Sequence, residues 1–154
     1  MSTLLRLATL NATYAAAIDS DHLEEWPDFF IDECLYKVTS AENHRRNYAA
    51  GIVYADSQAM LRDRVKALRA ANIYERQSYR HIIGLPLIRT ESHDRIEAET
   101  PFIVIRIMRD GSSGLFASGV YLDIVHVVAE SLRFAERIVV CDSGHFDTLL
   151  AIPL

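Results

Sequence analysis

The sequence predicts an α+β domain, with helices gathered in its first half and packed on one face of a mainly antiparallel sheet drawn from its second half. Three observations predict it. Apolar residues recur at spacings of three and four in two N-terminal stretches, the mark of amphipathic helices. After Tyr79, four long runs rich in β-branched and aromatic residues succeed one another between turns. The chain has 154 residues, half of them hydrophobic, with six Gly and four Pro, which suits a single folded domain over 1–154 and neither a disordered nor a fibrous chain.

Between Leu4 and Ile18, the residues Leu7, Leu10, Tyr14 and Ile18 share one helical face. Ser20 or Asp21 is then placed to cap a short helix with Glu24 three positions beyond Asp21; Leu23, Trp26 and Phe30 share its face, and Pro27 should break it. Cys34–Thr39 reads as a strand and, after a polar loop, Gly51–Ala55 as another. Asp56 or Ser57 caps the next helix, whose stripe is Leu61, Val65 and Leu68 and whose end falls near Asn72. Four strands come next, at Tyr79–Ile88, Arg95–Arg109, Leu115–Val128 and Leu132–Cys141, with Asp110–Gly114 as a hairpin loop. Pro101 calls for a bulge, a kink or an edge position.

In Phe102-Ile103-Val104-Ile105 and Ile138-Val139-Val140-Cys141 both alternating faces are apolar, yet the predicted helices are too few to cover two faces. Either twist and loops cover the second face or a partner does, and a large exposed apolar patch usually marks an interface. This predicts an oligomer. Phe102, Ile103, Ile105 and Val139 are the interface candidates.

A formal net charge of −5 argues against nucleic acid, because such binders concentrate Lys and Arg on one face. The run Arg62, Arg64, Lys66 and Arg69 is interrupted by Asp63 and reads as the polar side of a helix. No stretch approaches the roughly 18 apolar residues of a membrane span. Met1–Leu7 lacks a basic leader, and Cys34 and Cys141 give no disulfide framework, so the expected location is the cytoplasm.

Chemistry is hard to place. A Rieske cluster needs Cys-x-His and Cys-x-x-His, but Tyr36 stands two beyond Cys34 and Gly144 three beyond Cys141. Asp19/His22 and Asp142/His145 have ligand types at close range without a second nearby histidine, so they read as cap or surface residues, and the alternative is a ligand set assembled from distant residues. Gly111 and Gly114 belong to the hairpin, and neither Ser118-Gly119 nor Ser143-Gly144 forms a nucleophile elbow. No catalytic, metal or cofactor-binding residue is therefore assigned. What remains is a polar set on apolar strands: Arg80, His81, Arg106, Asp123, Glu136, Arg137 and Asp142. Buried charges are costly unless paired, so these read as ion-paired struts. The other reading is a pocket acid or base, with His81, Asp123 and Tyr14 as candidates.

Six pieces in order carry a resemblance: Trp26-Pro27-Asp28-Phe29-Phe30; Tyr36-Lys37-Val38 with Glu42-Asn43; Asp56-Ser57-x-x-Met60-Leu61-x-Asp63-Arg64-Val65; Arg80-His81-Ile82-Ile83-Gly84; Phe116-Ala117-Ser118-Gly119-x-Tyr121-x-Asp123; and Glu136-Arg137-Ile138-x-Val140-x-Asp142-Ser143. The chain resembles the small (β) subunits of Rieske-type aromatic-ring-hydroxylating dioxygenases. Ile73-Tyr74-Glu75-Arg76 and Asp147-Thr148-Leu149 resemble the branch acting on aromatic acids, terephthalate foremost and salicylate next. The resemblance implies a cone of the nuclear transport factor 2-like (cystatin-like) type with about three helices on a curved sheet. It also implies a trimeric base beneath three large (α) subunits, α3β3. The Rieske 2Fe-2S cluster and the mononuclear Fe(II) would lie in the large subunit, with electrons from NADH through a separate reductase. A self-sufficient cone-fold isomerase or dehydratase, using a pocket carboxylate or His81, is the competing expectation; it needs a deep open cavity.

Overall fold

Helix α1 (Thr3–Asp19) starts where the Ser2 hydroxyl accepts a hydrogen bond from the Leu5 amide, satisfying a donor that a helix start otherwise leaves free. In this computed structural model, which describes residues 1–48, 51–71, 77–144 and 152–154, α1 buries Leu7, Asn11, Tyr14 and Ile18 against the sheet. The second helix departs from expectation. Asp21 adopts a left-handed φ of 63°, and Leu23–Phe29 forms a 3₁₀ helix that has no side-chain cap and holds Pro27 inside it. Pro27 cannot donate to an α-helical ladder, so the tighter and shorter form results. Phe30 belongs to the next strand, while Leu23 and Trp26 are buried as expected.

Strand β1 (Phe30–Ser40) leads into α2 (Ala41–Arg45), a single helical turn in the stretch expected to be a polar loop. Ser40 caps it by accepting from the Asn43 amide. After β2 (Val53–Ala55), Ser57 caps α3 (Gln58–Ala70), whose Leu61, Val65 and Leu68 are buried as the spacing requires. Its expected end at Asn72 lies outside the described residues, as do Ile73–Arg76 and Asp147–Leu149.

The run expected as one strand from Tyr79 is two, β3 (Gln77–Ile83) and β4 (Leu87–Glu91), divided by Gly84-Leu85-Pro86. Strands β5 (Arg95–Met108), β6 (Ser113–Val128) and β7 (Ser131–Cys141) complete the set. Gly111, at φ +88°, turns the β5–β6 hairpin. The sheet runs β2-β1-β7-β6-β5-β3, with β4 also on β5. Among the described residues every pairing is antiparallel except β1 with β7. Register shifts at Phe30/Leu35, Val104/Ile105 and Ile124/Val125 bend the strands and curve the sheet around the helices.

Pro101 needs no bulge. Its carbonyl accepts from the Gly84 amide at 2.9 Å, so the side on which it lacks an N–H faces the β3–β4 connection rather than β6. The apolar strands separate by face. Phe102 and Val104 are buried inside, whereas Ile103 is 44% exposed and Ile105 half-buried on the outer face. Val139 is wholly buried and Ile138 half-buried. Phe102 and Val139 are thus core residues of this chain, a correction to their reading as interface candidates: the helices cover the face they occupy.

Candidate functional site

The inner face of the sheet meets α1 in a polar cluster inside an aromatic shell. Register places Asp123 on β6 directly opposite Arg137 on β7. The guanidinium donates through Nε to Asp123 Oδ1 (2.9 Å) and through Nη2 to Oδ2 (2.8 Å), a bidentate pair with both side chains buried. Nη2 also donates to Asn11 Oδ1 of α1 at 2.5 Å. The Arg137 Cζ lies 3.9, 4.0 and 4.5 Å from the ring centroids of Tyr121, Phe134 and Tyr14. Burial pushes the Asp123 carboxyl up against the opposing pull of Arg137. For Arg137, burial works against the charge, but Asp123 outweighs it and the guanidinium stays protonated. A charge engaged in this way fastens helix to sheet, which is the paired-strut reading.

His81 serves a second fastener. Its ring Nδ1 lies 2.7 Å from Asp19 Oδ1, and its main-chain N–H donates to Asp19 Oδ2 at 2.8 Å, tying the C-terminal end of α1 to β3. The His81 side chain is fully buried and its Nε2 has no partner. A cleft of about 560 Å³ between α1 and the β3–β4 connection reaches these residues only from outside. Asp19 therefore pairs with His81 rather than acting beside His22.

Two strut expectations change. Arg80 is exposed and reaches Asp19 only at 3.9 Å. Asp142 is also exposed; it accepts from the Ser118 hydroxyl at 2.9 Å, a hydrogen bond and not an ion pair. Both lie where water competes with a partner charge, so burial does not force pairing. Arg106 lies 5.1 Å from the centre of the Phe116 ring, holding strands by a cation–π contact. Tyr14, considered as a pocket acid or base, has its hydroxyl pushed up by burial and engaged at 2.7 Å with the main-chain oxygen of Leu154.

The sequence reading missed Asn11 and Leu154, and it weighed Asp19 beside His22 rather than His81. Asn11 left a signal, since a polar side chain on the inward stripe of Leu7, Tyr14 and Ile18 demands a buried partner. The interior of the cone is filled by Tyr14, Trp26, Phe30, Tyr36, Tyr121 and Phe134, all buried, together with Leu154. Among the described residues no group of three or more His, Cys, Asp or Glu is arranged to hold a metal ion; His145 lies outside them. No helix is long and apolar enough to cross a membrane.

Residues 14–147 match the family model for the ring hydroxylating beta subunit. The chain belongs to this family. Two curated relatives from Comamonas sp, the beta 1 and beta 2 subunits of the terminal oxygenase component of terephthalate 1,2-dioxygenase, are 53% and 54% identical over 97% of each chain. The anthranilate 1,2-dioxygenase small subunit of Burkholderia cepacia is 35% identical over all of this chain and 96% of its own length. A crystal structure from Novosphingobium aromaticivorans, assigned as the β subunit of an aromatic-ring-hydroxylating dioxygenase, superposes with a TM-score of 0.91 at 35% identity, covering 98% of this chain and 96% of that one. This β subunit therefore has the cone-shaped α+β fold that the resemblance implied, and it is the small subunit of a ring-hydroxylating dioxygenase. Two of its relatives are named as subunits of a terminal oxygenase component.

Proposed function

We propose that this β subunit is the non-catalytic assembly subunit of a Rieske non-haem iron dioxygenase that dihydroxylates an aromatic carboxylic acid of the terephthalate type in aromatic-compound catabolism. The filled interior carries the reading. A cone-fold isomerase or dehydratase needs an open cavity lined by its acid or base, but here the inward carboxylates Asp123 and Asp19 are engaged by Arg137 and His81. The 53% and 54% identities to terephthalate dioxygenase subunits support the substrate class. In this reading the large subunit holds the 2Fe-2S cluster and the catalytic Fe(II), a separate reductase delivers electrons from NADH, and the complex is a cytoplasmic α3β3 assembly. The outer face bearing Ile103, Ile105 and Ile138 supports self-association, because burying apolar surface is favourable by about 25 cal/mol per Å² before the costs of association.

The test is co-expression with the large subunit beside expression alone. The isolated chain should be colourless, bind no stoichiometric iron and oxidise no aromatic acid, and the co-purified complex should sediment as a heterohexamer that consumes terephthalate when supplied with the reductase, NADH and O2. About one iron per isolated chain retained after chelation, or turnover by the chain alone, would overturn the reading.

A further inference from the structure

Two charges on the outer face of the sheet are left unsatisfied by the chain itself, and they stand at opposite corners. Glu136 on β7 is half-buried beside Ile138 and faces Ile124 of β6. Among the described residues its carboxylate has no ion pair or hydrogen bond. The guanidinium groups on that side are already taken, Arg89 by Glu99 and Arg95 by Glu97, at 2.8 Å each. Glu136 lines a hollow of about 270 Å³ with Glu97, Glu99, Leu122, Ile124 and Ile138. Small-molecule sites hold roughly 300–1,000 Å³, so the hollow suits one side chain rather than a separate ligand. Its apolar walls and surplus of carboxylates ask for a cation on an apolar stem. The edge strand β3 carries the complement. Arg80 is 65% exposed, and its nearest carboxylate, Asp19, is 3.9 Å away and engaged by His81. Next to it stand Ile82, 55% exposed, its register partner Ile103, and Leu85, 73% exposed in the β3–β4 connection. The Gly84 amide, bonded to the Pro101 carbonyl, holds that connection against the sheet.

Within one chain the two charges cannot meet. Arg80 lies opposite Ile105 of β5, whereas Glu136 lies opposite Ile124, which faces Glu97 of β5, so they are three strands apart and offset along β5 from 97 to 105, about 26 Å in the strand direction alone. We propose that Arg80 of one β subunit enters the Glu136 hollow of a second copy, with Ile82, Leu85 and Ile103 packed against that copy's Leu122 and Ile138. The planar guanidinium donates two parallel hydrogen bonds to the carboxylate, and the surrounding aliphatic groups shut water out of the pair. Because the two patches differ and lie apart on one molecule, each copy offers one and receives at the other, which is the contact that closes a ring. The inference rests on the self-association proposed above and names the surfaces and the charge pair that carry it.

Sedimentation of the isolated β subunit over a range of concentrations, and of the complex co-purified with the large subunit, reads the contact. Arg80→Glu and Glu136→Arg each set like charges face to face and should weaken association between copies at least about a hundredfold, while each chain keeps the parent's circular dichroism. The double variant restores opposite charges at the same place and should return association to within about tenfold of the parent. Recovery in the double variant decides the matter, because two independent structural losses would add. If Glu136→Arg does not fold, Glu136→Gln takes its place: association about tenfold weaker than the parent's supports the contact, and parental association refutes it. Single reversals that associate like the parent, or a double variant no better than the singles, would overturn this contact and leave self-association through another face standing. Loss of the large subunit with the copies still associated would give the hollow to that partner and overturn it as well. A parent chain that is monomeric both alone and in the complex would overturn self-association itself, and the contact with it.

Discussion

Removing the carboxylate of Asp123 while leaving its length, by Asp123→Asn, isolates what the buried pair contributes. The guanidinium of Arg137 then keeps its charge inside a shell of three rings and loses its bidentate partner, retaining Asn11 Oδ1 as its anchor on α1. Breaking a buried pair by removing one partner costs about 3–5 kcal/mol, because the survivor's desolvation is no longer offset. With a urea dependence of about 2 kcal/mol per molar for a domain of this size, a loss of about 4 kcal/mol lowers the unfolding midpoint by about 2 M. The matching fall in melting temperature is about 8–16 °C. Replacing both partners with apolar residues, Asp123→Leu with Arg137→Met, should recover most of that loss, since no charge remains buried. Urea denaturation monitored by near-ultraviolet circular dichroism reads all three chains. A midpoint shift under about 0.5 M for Asp123→Asn would refute the account, since it corresponds to the roughly 1 kcal/mol of an exposed pair. So would normal stability with abolished turnover of the intact complex, which would make the carboxylate a chemical participant.

Asp142→Ala should cost under about 1 kcal/mol by the same denaturation assay, because its contact with Ser118 is exposed. Ile103→Asp, at a position 44% exposed, should leave the unfolding free energy of the chain within about 0.5 kcal/mol of the parent yet disrupt self-association by sedimentation; unchanged assembly would clear the outer face of that role. Burial pushes the thiols of Cys34 and Cys141 up to about 11 and about 12, so neither should react with an aromatic disulfide at pH 8 until the chain unfolds. Both values are raised, so the unfolded thiols ionise first, and stability should fall as pH climbs from the ordinary thiol range towards these values. Gly119→Ala should prevent normal folding, since its Cβ would stand 1.9 Å from the Val140 oxygen; a soluble variant with the parent's melting temperature would contradict this.

The parts of the fold legible in the sequence are those with a sustained period. The stripes of α1 and α3 and the long β-rich runs extend far enough for burial to leave a repeating mark, and the structure obeys them. Helix α2 left no such mark, because one turn capped by Ser40 contains no repeat. The β3–β4 division comes from Gly84-Leu85-Pro86, where a proline interrupts an otherwise strand-like run. Of the site, Asp123 and Arg137 were legible as charges on apolar strands that need partners, but not as partners of each other, which only the β6–β7 register reveals. Arg80 and Asp142 met the same criterion and failed it, since alternation does not say which face of a strand reaches water. For the same reason Phe102 and Val139 could not be told from Ile103 and Ile138 until the helices were seen to cover one face. Leu154 was invisible to any periodic argument: a lone residue reaches the interior through tyrosines at positions 14 and 36.

The single parallel pairing, β1 with β7, sets a timetable for synthesis. Phe30 pairs with Phe134 and Ser40 with Cys141, so the first strand to leave the ribosome has only the three-residue β2 beside it until the last strand emerges. Pairings so distant in sequence are slow to form and keep unpaired strand edges open meanwhile. Helix α1, whose anchors Asp123, Arg137 and His81 all arrive later, must also wait. A nascent chain halted before residue 131 would therefore hold β1 with its β7 edge open and Tyr14 without the Phe134 ring, making β1 and α1 the segments on which a holding chaperone would act.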